Sequence, residues 1–166
     1  MNIFYLDKRT YNCAKDHCDK HVVKMILEYA QLLSTAHRIM DGDEGKDGMY
    51  KATHKNHPSA VWVRQNRCHY RYVYNLLRYL CEEYTARYGK THTTAQLLPL
   101  LRSCPKALET ELWDFWEPPQ CMPDDYKSDD TVKAYRKYYQ TDKAYMAVWK
   151  YSPTPSWFKE IEKGLV

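Results

Sequence analysis

Apolar and polar positions in the first half of the chain follow the pattern of two long helices. Residues 16–40 repeat apolar side chains every three or four positions, and three glycines within residues 41–48 end that pattern in a loop. The second predicted helix spans residues 56–88. It begins with a capping asparagine ahead of a proline, and it is expected to bend or break near Asn66. These two helices should form the framework of the fold.

The remaining segments are shorter and interrupted by prolines. Residues 2–6 are apolar and predict an extended arm or a small strand. A short helix is expected over residues 94–101, and a proline-rich loop follows it. A further helix is predicted over residues 131–149, with Ser128 or Asp129 as its cap.

These patterns predict a mainly α protein, a compact single-domain bundle of about three to four helices with long loops, covering residues 1–166. A chain of this length provides one core and leaves little room for a second. Sixteen tyrosines and five tryptophans make up much of the apolar content, so the core should be aromatic, with polar ring edges that need partners.

Net charge, hydropathy and cysteine content indicate which partners and which cellular compartment to expect. The net charge of +4 and pI near 8.6 permit a phosphate-rich partner, although a solvated basic surface without function would look the same. No stretch is long and apolar enough to span a bilayer, and no export signal opens the chain, so we expect a monomeric cytoplasmic protein that does not bind membranes. The six scattered cysteines are predicted to be reduced thiols.

One face of the first predicted helix gathers polar side chains. At about 100° per residue, six of them fall within about 80° of arc. This polar stripe comprises His17, His21, Lys24, Glu28, Gln31 and Thr35. Apolar residues occupy the rest of the circumference, so the stripe is expected to line a cleft in which desolvation perturbs protonation. An interior polar network or a thin solvent-facing edge would give the same pattern.

The chemistry of the stripe points to proton transfer beside phosphates. Imidazole titrates near neutrality, and a partly buried carboxyl group can be tuned upward. His21 and Glu28 lie seven residues apart, about 10 Å along a helix, so they would face one ligand from two points.

A zinc site is the alternative use of the same segment. Cys13, His17, Cys18 and His21 are of the usual ligand types, and His54 and His57 could complete a set. In a continuous helix, however, Cys13 and His21 would lie about 12 Å apart along the axis, too far to share one ion. We therefore predict no metal.

Short motifs across the chain resemble the pyrimidine-dimer DNA glycosylase and apurinic-site lyase family of the bacteriophage endonuclease V type. The helix signature is Asp19-Lys20-His21-Val22 followed by Glu28, with the family's spacing from histidine to glutamate. Similar motifs follow in the family's order at His57-Pro58, at Pro119-Gln120 through Asp125-Tyr126, and at Pro155-Ser156-Trp157-Phe158.

The resemblance implies a helical enzyme whose N-terminal α-amine attacks C1′ of a lesion nucleotide, releases the base and forms an imine. Glu28 would be the central acid and base, without a cofactor. An α-amine has an ordinary pKa of about 7.7 to 8.0, so part of it is neutral at working pH. Because Asn2 is not small, Met1 is expected to be retained and to supply the amine. Met1, Asn2, His21 and Glu28 are thus the predicted catalytic set.

The resemblance also implies a nucleic-acid contact surface. His21 would contact DNA or position the sugar, Arg136 or Lys143 would hold phosphates, and Trp157 would press on the strand. From the sequence itself, arginines interleaved with tyrosines on the second helix indicate either a backbone-binding surface or a solvated face. The predicted contacts are His17, Lys24, His57, Arg64, Arg67, Arg71, Arg136, Lys143 and Trp157. Leu27 and Gln31 stand where the bacteriophage enzyme has arginines, which points to a changed substrate.

The leading hypothesis is a DNA glycosylase and lyase acting on damaged or modified bases in double-stranded DNA. The first alternative is a nucleic-acid-binding or regulatory module that keeps the fold without lyase activity. The second is an enzyme that processes modified nucleotides.

Overall fold

The computed structural model describes residues 1–109 and 114–162. Its helices are α1 (Thr10–Asp16), α2 (Asp19–Asp41), α3 (Pro58–Val63), α4 (Arg67–Tyr88), α5 (Leu98–Leu101), α6 (Thr131–Gln140) and α7 (Ser156–Glu162). Short 3-10 helices cover Thr93–Leu97, Lys106–Leu108 and Asp124–Tyr126. No strand occurs in the described ranges, so the mainly α prediction is confirmed.

The number of helices exceeds the predicted three to four, in part because α1 was not predicted and the second long predicted helix is broken. The first predicted helix begins at Asp19 and not at residue 16, because His17 and Cys18, with extended ψ angles of 130° and 161°, break the chain between α1 and α2. The guanidinium of Arg87 donates to the carbonyls of His17 (2.8 Å) and Lys15 (3.0 Å), which the break leaves without helical partners. The second break lies at Asn66, as predicted, where the side chain accepts from the backbone N–H of His69 at 3.0 Å.

Helices α2 and α4 run antiparallel and contact each other at both ends. At one end, the guanidinium of Arg87 pairs with Asp19 at 3.1 Å and with Glu83 at 2.9 Å. At the other end, the imidazole of His37 lies 2.8 Å from the hydroxyl of Tyr70. These polar contacts fix the face of α2 that is turned toward α4.

The core is rich in tyrosine, as the composition predicts. Tyr29, Tyr70, Tyr135 and Tyr139 are all fully buried. Each hydroxyl has a hydrogen-bond partner, such as the carbonyl of Leu101 for Tyr70 at 2.7 Å. The polar edges of these rings are therefore satisfied inside the protein.

The first six residues form an extended arm rather than a strand. Residues 3–6 of this N-terminal arm are buried. The backbone N–H of Phe4 donates to the hydroxyl of Tyr29 at 3.2 Å, and Arg136 donates to the carbonyl of Leu6 at 2.8 Å. The arm thus lies between α2 and α6, and its backbone is held by side chains of both.

Two of the predicted caps are corrected. His57, not Asn56, caps α3, because its Nδ1 accepts from the backbone N–H of Ser59 at 3.1 Å. Asp130, not Ser128 or Asp129, caps α6 through the backbone N–H of Lys133.

Helix α6 is also shorter than predicted, because it ends at residue 140 and not at residue 149. The hydroxyl of Thr141 donates to the carbonyl of Lys137 at 2.7 Å and satisfies an end carbonyl of the helix. A series of turns then carries the chain through residues 141–146. The short helix predicted over residues 94–101 is present as a 3-10 helix followed by α5.

All six cysteines are free thiols, as predicted. In the described part of the chain, no helix is both long enough and apolar enough to cross a membrane.

Candidate active site

Glu28 lies on the face of α2 that is turned away from α4. The two α2 residues that contact α4, Asp19 and His37, are each nine positions from Glu28, which is about 900° or half a turn around the helix. Its side chain is 18% exposed and forms an ion pair with Lys24 at 3.8 Å. The carboxylate is therefore shielded on most sides but still accessible from solvent.

Lys24 and the apolar residues beside Glu28 form the open part of this surface. The Lys24 side chain is 64% exposed, Leu27 is 39% exposed and Val23 is 43% exposed. Apolar residues were expected to be buried around the whole stripe, and Val23 and Leu27 correct that expectation. Leu27 leaves an exposed apolar side chain adjacent to Glu28 in the helix.

His21 is buried, contrary to the prediction that it would look into a cleft and titrate near neutrality. It is 3% exposed, its ring lies 4.3 Å from the ring of Phe4, and its Nδ1 lies 2.6 Å from the hydroxyl of Tyr139. Burial lowers the pKa of His21 to about 2, and the positive charge of His17 and nearby lysines adds to the shift. His21 is therefore a neutral imidazole at working pH.

His17 does not belong to the α2 stripe, because the helix breaks at this residue. It is fully buried. Its Nδ1 donates to the carbonyl of Cys13 at 2.7 Å, and its Nε2 accepts from the hydroxyl of Tyr29 at 2.8 Å. Burial lowers its pKa to about 4. A sealed imidazole of this kind cannot reach a nucleic acid, so the predicted contact by His17 is corrected.

The two remaining residues of the predicted stripe, Gln31 and Thr35, also differ in burial. Thr35 is fully buried, and its hydroxyl accepts from the backbone N–H of Thr53 at 3.1 Å. Gln31 is half-buried. The stripe is thus an interior polar network at its two ends and reaches solvent in its middle, at Lys24, Glu28 and Gln31.

The α-amine of Met1 lies close enough to His57 to affect it. The pKa of His57 is lowered by burial, then by the positive charge of the N-terminus and by His54. Thr53, four residues before His57, forms a hydrogen bond with Thr35, which lies on the same face of α2 as Glu28. The amine forms no ion pair with a carboxylate in the described ranges. Asn2 follows with a buried side-chain oxygen that has no partner in those ranges.

Two of the residues predicted to contact DNA, Arg136 and Trp157, make contacts within the protein instead. Arg136 donates to the carbonyl of Leu6 and pairs with Asp7 at 3.6 Å, while its guanidinium lies 5.3 Å from the ring of Trp157. Trp157 is 8% exposed, and its indole N–H donates to Asp16 at 2.9 Å. The expectation that Trp157 presses on a DNA strand is therefore corrected, because its ring is packed inside.

Lys143 remains next to the candidate site. It is half-buried in the turn after α6, with its ammonium 5.2 Å from the ring of Tyr138. Its charge contributes to the lowered pKa of His21, as do Lys20 and Lys24. These three lysines give the surface near His21 a positive potential.

The arginines of the second predicted helix do not join Glu28. Arg64 donates to the carbonyl of Lys55 at 2.6 Å, and Arg67 donates to the carbonyl of Glu109 at 2.5 Å. Arg67 and Arg71 line a hollow on the outer face of α4. Tyr70 and Tyr72, two of the tyrosines interleaved with these arginines, are buried and so do not offer stacking surfaces.

The zinc alternative finds no support in the arrangement of its candidate ligands. Within the ranges that the structure describes, no three histidine, cysteine, aspartate or glutamate side chains cluster around a common point. The thiol of Cys13 donates to the carbonyl of Phe4 at 3.0 Å, and both ring nitrogens of His17 are occupied.

Three residues that the sequence did not single out connect the arm to α2. They are Phe4, Tyr29 and Tyr139. Tyr29 was counted among the apolar positions of the helix, and its period gave no sign of a polar role. Tyr139 is 118 positions from its partner His21, so no local pattern connects them.

A model of the pyrimidine dimer DNA glycosylase family matches residues 1–97. Searches of curated proteins and of solved structures found no match. The matched range is more than half of the 166 residues and includes the N-terminal arm, the α2 carboxylate and α4. It confirms the resemblance seen in the sequence motifs, and the chain belongs to the pyrimidine dimer DNA glycosylase family.

Proposed function

We propose that the protein is a DNA glycosylase and apurinic-site lyase that acts on damaged or modified bases in double-stranded DNA. The α-amine of Met1 is the nucleophile, and Glu28 is the acid and base. The observation that carries the proposal is the position of Glu28, a partly accessible carboxylate on the α2 face that the N-terminal arm crosses.

The course of the arm supports an amine close to this carboxylate. Phe4 lies against His21, and three residues of extended chain span about 10 Å. The rise from His21 to Glu28 along α2 is also about 10 Å. The influence of the amine on His57, in a loop bonded to Thr35, indicates that the arm runs along α2 in the direction of Glu28.

The proposed chemistry uses these two groups in turn. The neutral amine attacks C1′, the bond from C1′ to the base breaks, and the base leaves with the electron pair and takes a proton from water. The Glu28 carboxylate then removes a proton from the attached amine, the C1′–O4′ bond opens to give a protonated imine, and Glu28 passes its proton to O4′. The resulting carboxylate removes a proton from C2′, and the 3′ phosphate leaves. Water hydrolyses the imine and regenerates the amine.

Neighbouring side chains have supporting roles in this proposal. Lys24 and Lys143 hold phosphates on either side of the site, and the exposed side chain of Leu27 contacts the extruded nucleotide. His21 is a positioning residue, because a neutral ring bonded to Tyr139 orients Phe4 and the arm without exchanging protons.

Borohydride trapping tests the imine directly. The protein is incubated with duplexes that contain an abasic site or a pyrimidine dimer, and the reductant is added during turnover. We expect a covalent protein–DNA adduct whose modified amino acid, found by mass spectrometry, is the N-terminal residue. An adduct on a lysine side chain would contradict the assignment of the nucleophile.

Acetylation of the α-amine is the matched control, because it removes the nucleophile and leaves every side chain in place. The acetylated protein should bind the same duplexes and give no adduct. Tight binding of the abasic duplex by unmodified protein, with no adduct and no strand cleavage, would instead favour a binding module that keeps the fold without the reaction.

A further inference from the structure

Two adjoining hollows lie on the outer face of α4, away from the candidate active site. The larger has a volume of about 740 Å³ and the smaller about 570 Å³. Arg71 and Asn75 line both, so the two hollows form one continuous depression, here called the α4 groove. Its walls come from α4, from the start of α1 with the residues before it, and from the segment after α5.

Positive charge dominates the α4 groove. Its basic lining residues are Lys8, Arg9, Arg67, Arg71, Arg78 and Arg102. Among the described lining residues, Glu109 is the one acidic side chain. Arg78 pairs with Glu82 at 3.2 Å, whereas Lys8, Arg9 and Arg102 have no ion pair in the described ranges. A surface this rich in guanidinium groups attracts phosphates, which arginine binds in a bidentate manner.

The α4 groove and Glu28 open on different sides of the protein. Tyr70 marks the face of α4 that contacts α2, and Arg71 and Arg78 are turned about 80° to 100° away from it. Glu28 is half a turn from the α2 face that contacts α4. One straight duplex on the Glu28 surface would therefore leave the α4 groove uncovered.

We propose that the α4 groove is a second DNA-binding surface, which holds the phosphate backbone of a separate duplex segment while the first occupies the Glu28 side. Exposed aromatic residues at its edge, Tyr11 at 50% and Phe115 at 42%, give the sugar–phosphate chain an apolar border. The proposal rests on the DNA substrate of the family and does not depend on imine chemistry. It predicts that one protein molecule bridges two duplexes.

A capture assay tests the bridging. An undamaged duplex is immobilised, the protein is added, and the retention of a second, fluorescent undamaged duplex is measured at several salt concentrations. The wild-type protein should retain the second duplex. The double variant Arg78→Gln with Arg102→Gln should retain at least tenfold less of the second duplex. The slope of its total DNA affinity against salt concentration should decrease by the amount expected for the loss of about two phosphate contacts.

The matched control removes the same charge elsewhere, through Lys90→Gln with Lys133→Gln, two exposed residues outside the α4 groove. This variant should capture the second duplex as the wild type does. Equal losses in both double variants, or full capture by the Arg78 and Arg102 variant, would overturn the proposal. The single variant Arg102→Glu, at an exposed position, should also abolish capture, and equal thermal midpoints of all variants exclude unfolding.

The assay separates this proposal from the proposed enzymatic activity. Borohydride trapping on a short abasic duplex, which occupies one surface only, should be unchanged in the Arg78 and Arg102 variant. If the wild-type protein captures the second duplex but gives no covalent adduct, the imine chemistry is contradicted and the second DNA-binding surface is supported. If it gives an adduct but does not capture the second duplex, the imine chemistry is supported and the second DNA-binding surface is contradicted.

Discussion

The rings of Phe4 and His21 lie 4.3 Å apart, with an angle of 36° between their planes. Phe4 belongs to the N-terminal arm, and His21 begins the α2 segment that carries Glu28. The arm is held there further because the Phe4 backbone N–H donates to Tyr29 and its carbonyl accepts from Cys13. The position of the first residue of the chain therefore depends on a contact made three residues later.

Replacement of Phe4 by leucine should separate arm positioning from DNA affinity. The substitution removes the aromatic pair, so we expect a loss of about 1 kcal/mol in the free energy of unfolding. The rate of imine trapping on abasic DNA should fall at least tenfold, with DNA affinity within twofold of wild type. The control is Phe158→Leu, which changes a buried aromatic residue of α7. Equal trapping rates in the two variants would remove the positioning role of Phe4.

Replacement of Glu28 by glutamine should abolish chemistry and preserve binding. The amide keeps the shape of the side chain but can neither protonate O4′ nor remove the C2′ proton, so single-turnover trapping should fall at least a hundredfold. Affinity for abasic DNA should stay equal or rise, because a negative charge near phosphates is lost. Glu44→Gln, in an exposed loop, is the matched control and should trap at the wild-type rate. Trapping within threefold of wild type in Glu28→Gln would exclude the carboxylate from the reaction.

Buried histidines should make the fold sensitive to acid. The pKa values of His17 and His21 fall to about 4 and about 2, against an ordinary 6.5. Between pH 6.5 and pH 4, these two histidines become protonated in the unfolded chain but stay neutral in the folded chain. Each histidine therefore removes up to about 1.4 kcal/mol of stability per unit of decreasing pH.

Asp16 opposes this trend, because burial raises its pKa to about 6 from 3.8 and the folded state accepts its proton first. Urea unfolding from pH 7 to pH 4.5 should still show stability falling with pH. In His21→Asn, the loss of stability per pH unit should be smaller than in the wild type by about the contribution of one histidine. In His54→Asn, a change at an exposed histidine, the loss per pH unit should equal that of the wild type. A wild-type slope in His21→Asn would mean that His21 titrates freely.

Arg87 should be one of the most sensitive residues of the fold. Its side chain is 1% exposed and pairs with both Asp19 and Glu83, so Arg87→Met leaves two carboxylates without their partner. We expect a loss of about 3 to 5 kcal/mol in the free energy of unfolding, measured by urea denaturation at pH 7. Arg78→Met breaks an exposed pair of the same kind with Glu82 and should cost less than about 1 kcal/mol. Similar costs at both sites would show that burial of Arg87 adds nothing.

The periodic pattern of the sequence was sufficient to predict the two long helices and the position of Glu28. Both depend on the spacing of apolar residues along one helix, which is local information. The break at Asn66 was equally readable, because a capping residue stands at the point where the chain turns.

The burial of His21 was not readable from the sequence. The helical period places it on the same face as Glu28, whereas the rings of Phe4 and Tyr139, distant in sequence, pack against it. The break at His17 has the same origin, since the guanidinium that donates to the two open carbonyls comes from Arg87, some 70 positions away. Contacts at such separations leave no periodic trace, so the stripe looked uniform when only its middle is open.

The family match ends at residue 97, and yet two groups that hold the arm come from beyond it, the hydroxyl of Tyr139 and the guanidinium of Arg136. A fragment cut at that boundary would keep the proposed nucleophile and Glu28 but lose these two groups that hold the arm against the rest of the protein. In the proposed mechanism, the matched first part of the chain carries the reacting groups, and the unmatched remainder supplies side chains that hold the arm. Transfer of this chemistry to another scaffold would have to include both.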